Sequence, residues 1–145
     1  MRLKWYGFVG AFMALMFSCQ HKNASFNEFK DKDITIQVIQ LKDDAGDSTL
    51  TYKARVIPDK KLMIEINRSE KNNLLYRMDS CFYINNGSYK TYASLVQPVA
   101  NGVSDTFEYL LAFDVAKADR KDSIKIVYHD KYINRKTYIV PVKLN

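Results

Sequence analysis

From residue 33 onward, apolar side chains recur at every second position, and a chain patterned this way is confined to strands that each bury one face. Leu50, Tyr52, Ala54 and Val56 alternate with Thr51, Lys53 and Arg55. Leu62, Ile64 and Ile66 alternate with Met63 and Glu65, and Ile124, Ile126 and Tyr128 alternate with Lys125, while Val127 falls on the second face. Ile34, Ile36 and Val38 begin another such run, whose apolar side changes over at Ile39 and Leu41, as at a bulge or in an element covered on both faces. Further strands are expected at residues 74–78, 81–85, 89–96, 107–115 and 136–142. The stretch 107–115 has a helical composition, yet Phe107, Tyr109, Leu111, Phe113 and Val115 keep the period of two, so it reads as a long central strand.

Turn chemistry falls between these runs. Asp43-Asp44-Ala45-Gly46-Asp47-Ser48 separates the first two strands, and Pro58-Asp59 the next pair. Asn85-Asn86-Gly87-Ser88 is a hairpin signal, because Asn-Gly accepts the positive φ angles of a tight primed turn. Asn101-Gly102 and Ala118-Asp119-Arg120-Lys121-Asp122 mark two more loops. With 145 residues, 47% of them hydrophobic and 26% charged, the chain suits one globular domain and is too apolar for wholesale disorder. The expected fold is an all-β sandwich of about eight strands at roughly ten-residue spacing, without helical crossovers. The stretch from Tyr109 through Phe113-Asp114-Val115, a short charged loop, and Ser123-Ile-Lys-Ile-Val-Tyr128 resembles the last two strands of immunoglobulin-like envelope domains. In those, a strand ending in Phe-x-Val precedes one ending in an aromatic. The resemblance implies an immunoglobulin-like β-sandwich and carries no function with it.

The first 19 residues have a different character. Arg2 and Lys4 precede an uncharged, largely apolar stretch from Trp5 to Ser18, and cations so placed stay on the cytoplasmic side while the apolar part enters the bilayer. At 14 residues that stretch is shorter than the roughly 20 a helix needs to span the hydrocarbon. Its end, Leu15-Met16-Phe17-Ser18-Cys19, resembles the lipobox of bacterial lipoproteins in a relaxed, Bacteroidetes-like form, with bulky Phe17 where a small residue is usual. The resemblance implies cleavage before Cys19 and lipid (diacylglycerol on the thiol, with palmitate-type acylation) on that cysteine. It also implies a division into a signal peptide at 1–18, a flexible tether at 19–32 and a sandwich domain at 33–145. Position 20 is Gln rather than Asp, and no acidic cluster follows Cys19, so the implied location is the outer membrane, facing the periplasm.

Little in the remaining residues points to catalysis. The net charge is +6, or +4 once Arg2 and Lys4 are removed, and its cations are scattered among acids such as Asp59, Asp119 and Asp122, which argues against a nucleic-acid partner. Only two histidines exist; His21 lies in the tether, and His129 adjoins Asp130 on a strand, where neighbouring side chains point to opposite faces. Asp43, Asp44 and Asp47 lack the ligand order of an EF-hand loop, so no metal site is expected. No glycine-rich phosphate loop occurs, so no cofactor is expected either. Cys81, set in Ser80-Cys81-Phe82-Tyr83-Ile84, reads as a small buried apolar residue.

Ten tyrosines stand in the chain, while its single tryptophan, Trp5, falls inside the signal. Tyrosine offers a large rigid apolar area with a polar tip, which suits protein contact. Tyr89, Tyr92, Tyr132 and Tyr138 fall near expected strand ends or outer faces and are the candidate binding residues. The expectation is thus a non-enzymatic, membrane-anchored lipoprotein whose sandwich docks an envelope protein. A glycan- or small-ligand-binding module is the alternative.

Overall fold

The computed structural model describes residues 26–41, 48–85, 89–116 and 123–143. Within them the chain forms nine strands and two helices: β1 (Asn27–Lys30), β2 (Ile34–Gln40), β3 (Thr49–Pro58), α1 (Lys60–Glu65), α2 (Arg68–Tyr76), β4 (Phe82–Asn85), β5 (Lys90–Tyr92), β6 (Leu95–Val99), β7 (Phe107–Asp114), β8 (Ser123–His129) and β9 (Thr137–Lys143). The strands make two antiparallel sheets, β1-β2-β3-β7-β6 and β5-β4-β8-β9. Lettering β2 to β9 as A, B, C, C′, D, E, F and G gives A-B-E-D in one sheet and C′-C-F-G in the other. This is the strand order of immunoglobulin-like sandwiches, with β1 added outside A. The segments that resemble the last two strands of such domains are β7 and β8. They lie in opposite sheets, and β9 follows them.

The period-two pattern sets which side chains meet between the sheets. β3 alternates buried and half-buried along its whole length, with Leu50, Tyr52, Ala54 and Val56 at 0–1% exposure. β7 lies between β3 and β6 and buries Tyr109, Leu111 and Phe113 completely, as its alternation requires of a central strand. Pairing of β2 with β3 is unbroken from Ile34 to Gln40, so no bulge occurs where the apolar side changes; Ile39 is simply half-buried on the outer face. β4 and β5 form the expected hairpin, but they pair Asn85 with Lys90 and so leave four residues between them, where a two-residue Asn-Gly turn would pair Asn85 with Ser88; Asn86, Gly87 and Ser88 lie outside the described residues. The Asp43–Asp47 loop, His21 and Cys19 also lie outside them.

Three expectations need correction. Residues 62–66 and 74–78 are not strands, and the link between β3 and β4 is a two-helix insertion. In α1 the buried side chain is Met63, with Ile66 just after it, three residues apart on one helical face, whereas Ile64 is 83% exposed. Asp59 caps α1 by accepting from the Lys61 N–H at 2.9 Å. Asn67 and Glu70 form a reciprocal capping box at the start of α2, which satisfies two N–H groups the helix itself leaves unpaired. Second, the run at 89–96 is two strands. Ala93 N–H still bonds to Phe82 in one sheet, while Ser94 N–H bonds to Ala112 in the other, so the chain changes layers between adjacent residues. Third, residues 27–30 belong to the sheet rather than to a free tether, because β1 pairs with β2 from Asn27–Val38 to Lys30–Thr35.

These pairings give the sandwich two unlike poles. β1 starts beside Val38, toward the end of β2 that adjoins Thr51 and Tyr52, and β9 ends beside Ser123. Both chain directions therefore leave through one pole, called here the entry pole. The helical insertion, the β6–β7 loop and the β8–β9 loop gather at the other. Asp33, in the β1–β2 turn, ties that loop pole together by pairing with Lys136 across the sheets.

Candidate functional site

The loop pole is built on an aromatic chain through the core. Phe29 meets Tyr138 edge-on at 5.5 Å, Tyr138 stacks on Tyr128 at 6.1 Å, Tyr128 on Phe82 at 5.0 Å, and Phe82 tilts against Tyr109 at 5.5 Å. Each tyrosine keeps its ring in the core and sends its hydroxyl to the loop pole, Tyr109 to α2 and Tyr128 and Tyr138 to the β8–β9 loop. Tyr109 donates to the carbonyl of Leu74 in α2 at 2.5 Å, Tyr128 donates to Asp130 at 2.8 Å, and Tyr138 accepts from Asn134 Nδ2 at 2.6 Å. Burial pushes the Tyr109 and Tyr128 hydroxyls far above the ordinary phenol range, so both remain neutral donors.

Asp130 organises the β8–β9 loop. Its carboxylate is fully buried and, besides the Tyr128 hydroxyl, accepts from the backbone N–H groups of Tyr132, Ile133, Asn134 and Arg135 at 2.6–3.3 Å. Arg135 sits at φ +60°, where the loop folds back toward β9. Sequence reading missed this role. The available signal was an aspartate at a strand end ahead of a polar stretch, the type of residue that captures the following backbone N–H groups. His129 points the other way, as expected for a neighbour on a strand, with Nδ1 2.9 Å from Thr137 Oγ1. Cys81 is completely buried, and burial raises its thiol to about 11, so it is an inert core residue as read from its neighbours.

The four candidate tyrosines do not form one surface. Tyr138 is 2% exposed because it shares the inward parity of Val140 and Val142; Ile139 is the outward residue there. Tyr132 is half-buried, and its hydroxyl donates to the carbonyl of Arg77 at 2.7 Å, fastening the β8–β9 loop to the end of α2. Tyr89 and Tyr92 are 77% and 52% exposed at β5. Of the four, these two are open to a partner. Beside the loop pole, Leu75 of α2 and Val99, Val103 and Phe107 line an open groove of about 400 Å³.

On the outer face of the five-stranded sheet, Glu108 is only 4% exposed and receives Lys53 at 2.6 Å and Arg55 at 2.8 Å. Burial alone would raise its pKa, but the hydrogen bonds from Lys53 and Arg55 outweigh burial and hold it below the ordinary 4.5. The unfolded chain therefore binds the proton first, and the stabilisation is complete above about pH 4.5 and lost as pH falls through the native pKa. Glu108→Gln should accordingly lower the urea midpoint near neutral pH, with the gap to wild type narrowing below about pH 4.5. A gap that stays constant with pH would show that the carboxylate charge is not what stabilises.

Among the described residues, no group of three His, Cys, Asp or Glu side chains is placed to hold a metal ion, and no helix is long and apolar enough to cross a membrane. No known protein family, curated protein or solved structure matches the chain.

Proposed function

We propose that this chain is a lipoprotein of the bacterial envelope, anchored through lipid on Cys19 in the outer membrane and facing the periplasm, and that it acts without catalysis by docking a protein partner. The observation that carries this reading is the polarity of the sandwich. The chain enters β1 from one pole, and the two-helix insertion and the tyrosine-pinned β8–β9 loop stand at the other. Residues 20–26 can span at most about 25 Å between Cys19 and β1. A lipid on Cys19 would hold the entry pole near the bilayer and turn the loop pole outward. The exposed apolar residues support docking: Ile64, Tyr76 and Val103 at the loop pole, and Tyr89, Tyr92 and Ile139 on the four-stranded sheet, are 46–83% exposed.

Cys19→Ser tests the address. It is expected to abolish acylation and move most of the protein from the membrane to the soluble fraction, because a diacylated anchor contributes about 0.8 kcal/mol for each buried methylene. Membrane partition that does not change, or native protein that keeps Met1 and an unmodified Cys19 by mass spectrometry, would overturn the reading.

A further inference from the structure

The register of the four-stranded sheet draws one line of side chains across its whole outer face. Tyr92 pairs with Tyr83, Tyr83 with Val127, and Val127 with Ile139. Their strand neighbours Phe82, Ile84, Ile126, Tyr138 and Val140 all point inward, so these four point outward together. At strand spacing the line is about 14 Å long. Its ends are open, with Tyr92 52% and Ile139 46% exposed, while Val127 between Tyr83 and Ile139 is only 2% exposed. The stripe is thus apolar along its length, and the surface it offers a partner lies at Tyr92, half-buried Tyr83 and Ile139.

Charge on this face has one sign. The row next to the stripe, on the entry-pole side, pairs Lys90 with Asn85, Asn85 with Lys125 and Lys125 with Pro141; Lys143 follows opposite Ser123. All three lysines are exposed, and among the described residues no Asp or Glu shares the outward parity of these strands. The other sheet differs, since its outer cations Lys53 and Arg55 share the carboxylate of Glu108.

We infer that this face docks a protein that presents an apolar ridge bordered by carboxylates. The inference rests on the docking function proposed above and names the surface and the chemistry of the partner. A second copy of this chain is disfavoured, because a two-fold contact would bring together two faces that each carry three lysines and, among the described residues, no outward Asp or Glu to pair with them. A glycan fits less well, because Lys90 already lies 5.0 Å over the Tyr83 ring that a sugar would stack on.

The test places a benzophenone amino acid in the full chain, expressed in its native cells, at Tyr92, Ile139, Gln97 (the other sheet) or Tyr76 (α2). Irradiation is expected to give one adduct from the Tyr92 and Ile139 positions, at least tenfold weaker from Gln97 and Tyr76. Mass spectrometry should identify its partner as a different protein with an acidic contact peptide. Combining Lys90→Glu, Lys125→Glu and Lys143→Glu should cut that adduct at least tenfold with the unfolding midpoint unchanged, and the three Lys→Arg variants should retain it. Adducts only from Gln97 or Tyr76 would overturn this face and leave protein docking standing; no protein adduct from any position would overturn both. An adduct of twice the chain's mass, a yield indifferent to charge reversal, or retention on polygalacturonate beads without a protein adduct would each overturn the acidic-protein assignment.

Discussion

Replacing Asp130 by alanine is expected to destabilise the domain by about 3–5 kcal/mol, measured as the shift in urea unfolding. The carboxylate is 0% exposed and has five donors around it: the Tyr128 hydroxyl and the N–H groups of residues 132–135. Each donor left buried without an acceptor costs about 1–3 kcal/mol, and charge-assisted bonds stand at the upper end. The sum is smaller than the number of bonds implies, because the half-buried loop can admit water to some of its N–H groups. Asp130→Asn should recover less than half of the loss. It keeps one acceptor but turns an amide NH₂ toward backbone N–H groups that need an oxygen. A cost below about 1 kcal/mol for the alanine variant would show that the loop holds its shape without the carboxylate. The same variant should loosen the Tyr132–Arg77 contact, so the consequence is local disorder at the loop pole.

Phe113→Ala should cost a similar amount, about 3–5 kcal/mol, for a different reason. Phe113 is fully buried near the C-terminal end of β7, paired in register with Leu50 and 6.1 Å from the Tyr52 ring. Its neighbours belong to strands held on both sides, so the backbone cannot collapse into the space and the loss includes a cavity as well as lost apolar transfer. Leu110, on the same strand but of outward parity, is half-buried, and Leu110→Ala should cost only about 1 kcal/mol. Equal costs at the two positions would contradict the one-faced burial that defines the strand.

Alternation along the chain was enough to place β2, β3, β4, β7, β8 and β9, because a strand with one wet face writes its own geometry into the order of its residues. It misled at residues 60–76. Leu62, Ile64 and Ile66 alternate as well as a strand does, and only the competing Met63–Ile66 spacing and the Asn67–Glu70 capping box mark the helices. Those signals were in the sequence and were outweighed by a short run that satisfied both periods. Tyr138 stands among the candidate binding residues because tyrosine is compatible with either face of a sheet, but its parity with Val140 and Val142 places it inward. The inert Cys81 was legible from its apolar neighbours.

What the sequence by itself determined is the mainly-strand character of the body, the inward parity of its core and the hairpin between β4 and β5, all consequences of contacts between near neighbours in the chain. Only the tertiary structure decided that Tyr83, Tyr92, Val127 and Ile139 form one line, since those residues come from four strands and meet through hydrogen-bond register. It likewise decided that Asp130 is buried rather than solvated and that both chain directions leave through one pole. Pairing across long sequence separations is chosen by the whole sandwich closing at once, and no local pattern contains that information.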